Sequence, residues 1–361
     1  MKTSTVVIIF ALILGVHGLV LWLVLRDTGS TPEEPERAVG TEAAAQERQA
    51  APAHTAPAVP SREEKMRRAR AQIIRPYDYS SAVIGSIPGF RKGRPGTAGI
   101  IVDLNTRKVL WCKNAEKAFP IASMTKLMTV LVAYEMTQDP RSGVTLDTQV
   151  KVTVAAYKVG GSQVWLDPKE SFTLRELMMA ASIQSANDAA YLIAEFLGNG
   201  DVNLFVRKMN AKAAELGMKH TIFRNPHGLP GKKAAEDNVS SPEDMVRLAE
   251  ATLLHPQLME WASTWKAPFR KPGTKGYLEM RNHNHLIPGG NMRSPGVDGL
   301  KTGFINRSGY CLAVSCLRGD RRVVGIVMGH PTWKERDQFV ISLLDWGYAR
   351  ITKLETAAGS N

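Results

Sequence analysis

Residues 120–136 read Pro-Ile-Ala-Ser-Met-Thr-Lys-Leu-Met-Thr-Val-Leu-Val-Ala-Tyr-Glu-Met, or PIASMTKLMTVLVAYEM. After Pro120 the stretch is apolar on most sides, which predicts a buried helix. Ser123 and Lys126 stand three residues apart at its head, so one helix face carries a hydroxyl and an amine. A serine hydroxyl is a weak nucleophile until a base takes its proton. A lysine can be that base if burial or a neighbouring cation holds it neutral, and Leu127 to Val132 supply the burial. In the first turn, free amides and the helix dipole favour negative charge developing at Ser123. The same spacing recurs by chance in a chain of this length. Ser263-Thr264-Trp265-Lys266 is such a recurrence; it runs into Ala267-Pro268 instead of a buried helix and reads as structural.

Strands flank this helical region. TAGIIVDLNTRKVLWCK (97–113) reads as a hairpin turning near Asn105-Thr106. GYCLAVSCLRGDRRVVGIVMG (309–329) reads as a second, turning at Arg318-Gly319-Asp320. Residues 121–262 are mainly helical, and TLRELMMAASIQSANDAAYLIAEFL (173–197) carries a polar break from Ser182 to Asp188. SPEDMVRLAEATL (241–253) opens with a Ser cap, then Pro and two acids, a helix start. RDQFVISLLDWGYARI (336–351) is a closing amphipathic helix. Strands at both ends with helices between predict an α+β fold. It has an antiparallel sheet built from chain-distant pieces, flanking helices and a helical subdomain.

The 361 residues carry a net charge of +12, with 44 % apolar and 22 % charged side chains. Lys and Arg are scattered and lack the interleaved aromatics of a nucleic-acid face. One dense basic cluster, Arg62, Lys65, Arg67, Arg68, Arg70 and Arg75, reads as a charged helix, solubilising or in contact with a membrane surface or acidic polymer. Val6 to Leu25 is long enough to span a bilayer, and Arg26-Asp27-Thr28 follows it with no small-residue cleavage site. The expectation is an uncleaved anchor over 1–26, a Pro/Ala-rich and basic linker over 27–92, a catalytic domain over 93–352 and a tail over 353–361. Lys2 and Arg26 flank the span on both sides, so its charges leave the orientation open. The three cysteines, Cys112, Cys311 and Cys316, form no disulfide framework. Cys311 and Cys316 fall on opposite faces of one strand.

Two further groups carry chemistry. Ser185-Ala186-Asn187 lies at the helix break, where a hydroxyl can relay a proton and an amide can orient both a lysine and a substrate carbonyl; alternatively, the break caps itself. Lys301-Thr302-Gly303, within VDGLKTGF (297–304), reads as a strand edge. Lys301 supplies positive potential, Thr302 a hydrogen bond, and Gly303 room for a substrate backbone. His283 and His285 share a face if their segment is a strand, but no third ligand of matching spacing is evident, and a polar strand facing the cleft accounts for them better than a metal site.

In this order the three groups resemble the Ser-x-x-Lys, Ser-Asp-Asn and Lys-Thr-Gly motifs of penicillin-binding proteins and class A β-lactamases, with Ala186 in the middle position of the second. Residues 95–350 are similar to the low-molecular-mass D-alanyl-D-alanine carboxypeptidases of peptidase family S11. Ser185-Ala186-Asn187-Asp188-Ala189, Asn225-Pro226-His227-Gly228-Leu229, Asn282-His283-Asn284-His285-Leu286 and Gly309-Tyr310-Cys311 also match. The resemblance implies a serine β-lactamase/transpeptidase-like fold. It implies Ser123 as nucleophile, Lys126 as acylation base, Ser185 and Lys301 in proton relay, and Asn187 aligning substrate. It implies an oxyanion hole at the amides of Ser123 and Phe304, and Arg336 binding a terminal carboxylate with Thr302. Peptidoglycan stem peptides and β-lactams are the implied partners, with no cofactor, no metal and no nucleic acid. The implied location is the outer side of the cytoplasmic membrane.

The chain departs from the family pattern at Pro230 and Glu243, where Asp and Arg are usual. A charge pair shaping the loop near the site is thus expected to be missing. Nothing after residue 352 matches the C-terminal β-domain and amphipathic helix of many relatives; the N-terminal span is expected to replace that anchor. Besides carboxypeptidase activity, the residues leave open endopeptidase action on cross-links and a weakly catalytic wall-binding role. A β-lactamase needs a deacylating carboxylate over the site, and none is identifiable.

Overall fold

The computed structural model describes residues 62–87 and 96–359. In chain order the elements are α1 (Arg62–Ile73), β1 (Val83–Ile84), β2 (Ala98–Asp103), β3 (Lys108–Lys113), β4 (Phe119–Pro120), a 3-10 turn (Ala122–Met124) and α2 (Thr125–Gln138). Then come β5 (Gln149–Lys151), α3 (Val154–Tyr157), β6 (Ser171–Thr173), α4 (Leu174–Ile183), α5 (Asn187–Leu197), α6 (Val202–Glu215), β7 (Val239–Ser240), α7 (Pro242–Leu253) and α8 (Pro256–Ser263). The chain closes with β8 (Lys266–Phe269), β9 (Leu278–Arg281), β10 (Val297–Ile305), β11 (Gly309–Arg318), β12 (Arg321–His330) and α9 (Trp333–Gly359).

The main sheet runs β1-β3-β2-β12-β11-β10, antiparallel except for the short parallel pairing of β1 with β3. Both expected hairpins form, β2–β3 and β11–β12, and β12 pairs with β2 to join the two ends of the chain. Side chains alternate across the sheet with period two. Ile100, Val102, Ala313, Val324 and Ile326 enter the core shared with the helical subdomain. Ile101, Leu312, Val314, Val323 and Val327 enter a second core under Phe339, Val340, Leu343 and Leu344 of α9. Cys311 faces the first core and Cys316 the second, and all three cysteines are free.

α2 is buried from Thr125 to Tyr134 because α4, α5, α6 and α7 surround it. The caps follow the local sequence. Thr173 and Glu176 form a reciprocal capping box on α4, and Ser241 caps α7 with Pro242 at its first position. The polar break holds Ser185 in the left-handed region at φ 59°, and α5 restarts at Asn187.

Two domain boundaries differ from the sequence reading. Residues 62–87, read as linker, are part of the fold: Ile73, Tyr77 and Ile87 are buried. The Tyr77 ring lies under the Arg107 and Arg247 guanidiniums at 4.4 and 5.1 Å, and its hydroxyl donates to Glu250. Arg107 and Arg247 also hold the carbonyls of Ile73 and Arg75. Within the basic cluster, Arg68 pairs with Glu64 on α1 itself, and Arg70 pairs with Glu135 of α2 at 2.9 Å. At the other end, α9 continues unbroken through the stretch read as a tail, as far as Gly359. The expected span at Val6–Leu25 lies outside the described residues. Among those described, no helix is long and apolar enough to cross a membrane.

Candidate active site

The Ser123 turn precedes α2, with Ala122 left-handed at φ 47°. Two glycines let backbone close around it. Gly228 has φ +83°, and a Cβ there would stand 2.0 Å from the Ala122 carbonyl oxygen. A Cβ on Gly303 would stand 2.6 Å from the Ile121 carbonyl oxygen. Gly303 therefore admits the nucleophile turn against β10. The result locks Lys-Thr-Gly beside Ser123.

Lys126 Nζ lies 3.0 Å from Ser123 Oγ, 2.6 Å from Asn187 Oδ1 and 2.6 Å from the His227 carbonyl. The lysine is 1 % exposed. Burial and then the charge of Lys301 hold its pKa well below the usual range, against a smaller opposing pull from Asp188. A neutral amine has two N–H donors and one lone pair. Two donors match Asn187 Oδ1 and the His227 carbonyl, which leaves the lone pair for the Ser123 hydroxyl proton. Asn187 Nδ2 donates to the Gly160 carbonyl at 2.8 Å, so both ends of the amide are fixed.

Lys301 sits on β10, is 4 % exposed, and is pushed down to about 7 by burial and then by Arg336. Its amine donates weakly to the Thr302 carbonyl, at 3.3 Å. Thr302 is buried, whereas Phe304 is exposed and stacks on Tyr310 at 4.2 Å. Beside Lys126 and Lys301 is a cavity of ≈ 20 Å³ lined by Leu127, Val130, Ser182, Thr252, Leu258, Ala262 and Leu300. This largely apolar wall favours the uncharged amines.

Arg336 is 2 % exposed. It donates to Asp337 through Nε at 2.8 Å and to the Cys311 carbonyl at 3.3 Å. Asp337 also holds His285 Nδ1 at 3.1 Å. The histidine segment was expected to be a polar strand and is not one: β9 ends at Arg281. Asn282 Oδ1 then accepts from the Asn284 amide at 2.9 Å, and Asn284 Oδ1 from Leu286 at 3.1 Å, a pair of successive Asx turns. His283 is exposed, yet desolvation of its ring and then the charges of Lys301 and Lys126 hold it down to about 4. Among the described residues, no three or more His, Cys, Asp or Glu are grouped to hold a metal ion.

Hydrogen bonds thus join Ser123, Lys126 and Asn187. Arg336 acts on Lys301 through its charge. Ser185 is buried, and its hydroxyl has no hydrogen-bond partner among the described residues. The second serine–lysine pair is apart from this site: Ser263 bonds its own helix at the Glu260 carbonyl, and Lys266 pairs with Glu279 at 2.7 Å.

Sequence reasoning missed several supporting residues. His227 contributes a backbone carbonyl, and its ring is held down to about 3 by burial and then Lys126. Asn238 donates to Thr125 Oγ1 at 2.9 Å and to the Asn225 carbonyl at 2.8 Å, tying the His227 loop to α2. The loop brace expected to be missing is supplied from other positions. Arg307, after β10, reaches Asp237 at 2.6 Å and the Gly231 carbonyl at 2.8 Å. Glu243 instead bonds Arg247 and the Tyr79 hydroxyl. The Asn-Pro-His-Gly-Leu likeness was the one signal for the His227 loop.

A family model described as D-alanyl-D-alanine carboxypeptidase, Peptidase S11, matches residues 95–332. A Bacillus subtilis D-alanyl-D-alanine carboxypeptidase, DacF, is 35 % identical over 253 residues, covering 70 % of this chain and 62 % of its own length. A Pseudomonas aeruginosa D-alanyl-D-alanine endopeptidase is 34 % identical over 220 residues, covering 60 % of this chain and 66 % of its own length. The chain thus spans under two thirds of either relative. The solved structure of a D-alanyl-D-alanine carboxypeptidase from Mycobacterium tuberculosis superposes with TM-score 0.64 at 30 % identity, covering 73 % of this chain and 94 % of that one. An ampicillin-bound penicillin-binding protein D2 from Listeria monocytogenes superposes with TM-score 0.60 at 27 % identity, covering 70 % and 97 %. This chain belongs to peptidase family S11.

Proposed function

We propose that the protein is a serine-type D-alanyl-D-alanine carboxypeptidase that removes the terminal D-alanine from peptidoglycan stem peptides. The observation that carries this reading is the buried, depressed Lys126 amine 3.0 Å from Ser123 Oγ. The hydroxyl proton passes to Lys126 as Oγ attacks the carbonyl carbon of the penultimate D-alanine. The amides of Ser123 and Phe304 take the oxyanion. Collapse breaks the peptide bond, and the leaving amine takes the proton that Lys126 received from Ser123, relayed through Ser185 and Lys301. Water then hydrolyses the Ser123 ester. Asn187 has one Nδ2–H left for a substrate carbonyl.

Arg336 and Thr302 bind the free terminal carboxylate, which distinguishes a stem end from an internal amide. A guanidinium suits the task because it stays charged and binds in two-pronged fashion. β-Lactams acylate the same serine and block it. The domain acts on the outer side of the cytoplasmic membrane, held there by residues 1–26.

The identity to the Pseudomonas endopeptidase favours a second reading, cleavage of cross-links by the same machinery. Release of D-alanine from a free pentapeptide, compared with cleavage of a cross-linked dimer, separates the two. Carboxypeptidase action predicts faster turnover of the pentapeptide; preference for the dimer supports the endopeptidase.

A further inference from the structure

The loop that supports Asn187 also presents an exposed tryptophan. Gly160 accepts from Asn187 Nδ2, and the Ser162 carbonyl accepts from the Asn187 amide at 2.7 Å. Three residues on, Trp165 is 62 % exposed and lies in the left-handed region at φ 52°. That conformation is an outlier for a bulky residue and persists only where the surroundings impose it.

The surroundings do so from both sides. Buried Asp188 accepts from the amides of Val164 and Leu166, each at 3.2 Å to the same oxygen. Arg270 donates to the carbonyls of Val164 and Trp165 at 3.0 and 2.8 Å. Its guanidinium is itself fixed by Glu170 at 2.7 Å and lies over Phe269 and Phe172 at 4.9 and 5.2 Å. A buried carboxylate and a stacked arginine thus hold a strained backbone whose side chain stands in solvent. Packing gives no reason for that expenditure; presenting the indole does.

The neighbouring side chains narrow the ligand. Residues 160–166, GGSQVWL, carry no charge. Ser162 and Gln163 are partly exposed, and neither side chain has a hydrogen-bond partner among the described residues. An indole face with a free hydroxyl and carboxamide suits a neutral pyranose: aliphatic C–H groups against the ring, hydroxyl and acetamide groups against the polar neighbours. The charged end of a stem peptide is assigned to Arg336 and Thr302, not to this loop.

We propose that Trp165, with Ser162 and Gln163, forms a subsite for a sugar ring of the glycan strand that bears the stem peptide. The inference rests on the carboxypeptidase reading and adds to it a second contact, which favours polymeric substrate over free peptide.

The test compares full-length protein with Trp165→Asn and Trp165→Phe. Asparagine tolerates the left-handed region, so the loop survives loss of the indole. Uncross-linked glycan strands bearing pentapeptide stems and the free pentapeptide serve as substrates. Trp165→Asn is expected to raise KM for the strands about 5- to 10-fold, the range of one aromatic contact. Its kcat, its KM for free pentapeptide and its acylation by penicillin should stay unchanged, and Trp165→Phe should keep most of the affinity. Titration of peptide-free glycan oligosaccharides onto the wild type should show binding that Trp165→Asn weakens by the same factor. Equal loss on strands and free peptide would make Trp165 structural and overturn the subsite. So would unchanged KM on strands, or no binding of peptide-free glycan. Absence of turnover by the wild type on both substrates counts against the carboxypeptidase reading, and the glycan titration then decides the subsite alone.

Discussion

Asn187 Oδ1 lies 2.6 Å from the Lys126 amine, closer than the 3.0 Å between that amine and the Ser123 hydroxyl. Lys126 and Asn187 are both buried, so a charge placed at Oδ1 would act on the proton affinity that burial and Lys301 lower. A neutral amide accepts one N–H and leaves the amine uncharged. A carboxylate there would favour the ammonium.

Asn187→Asp is therefore expected to raise the Lys126 pKa, the effect of an adjacent opposite charge. Raising the pKa of a base empties its neutral form at a given pH, tenfold per unit. Acylation by penicillin at pH 7 should fall roughly 10- to 100-fold and recover toward alkaline pH. Stopped-flow acylation between pH 6 and 10 measures it. A uniform loss at every pH would mean that the substitution disrupts geometry instead of protonation.

Arg336 acts on the same balance from the sheet side. Its charge helps push Lys301 down to about 7. Removing it should raise that pKa, so the acid limb of the pH–rate profile should move to higher pH. Arg336→Ala should also lose about 2–4 kcal/mol of transition-state binding for stem pentapeptide, the scale for removing one partner of a buried charged pair. A penicillin whose carboxylate is esterified should lose much less. Equal losses would make Arg336 only a partner for Asp337.

How much of this was legible in the sequence depended on where each contact partner lies. Ser123 and Lys126 are one turn apart, so their pairing could be read locally. Alternation along β11 placed Cys311 and Cys316 in different cores correctly. Lys126's contact at His227 runs through a backbone carbonyl, which any residue carries, and so left no signature. The mistaken linker had a different cause. Ile73, Ile74 and Tyr77 follow a dense basic run, and the partners of this segment, Arg107, Arg247 and Glu250, come from far along the chain.

That docking is itself testable. Tyr77→Ala should destabilise the domain by about 3–5 kcal/mol, as for deletion of a buried aromatic ring. Tyr77→Phe should cost about 1–3 kcal/mol, because the partly buried Glu250 carboxylate loses a donor. Urea unfolding followed by fluorescence gives both values. Midpoints unchanged from the wild type would restore the linker reading for residues 62–87.

The Asp237–Arg307 pair braces the loop that carries His227. Arg307→Ala should slow acylation several-fold by loosening the carbonyl that holds Lys126, and the exchange Asp237→Arg with Arg307→Asp should restore part of it. Reaction with a fluorescent penicillin follows both variants. Unchanged acylation in Arg307→Ala would show the brace to be idle.

The most direct test of the account is covalent labelling of the nucleophile. Fluorescent penicillin should label the wild type and Ser263→Ala equally and leave Ser123→Ala unlabelled, and mass mapping should place the adduct on the peptide containing Ser123. Labelling that persists in Ser123→Ala, or an adduct on any other serine, would contradict it.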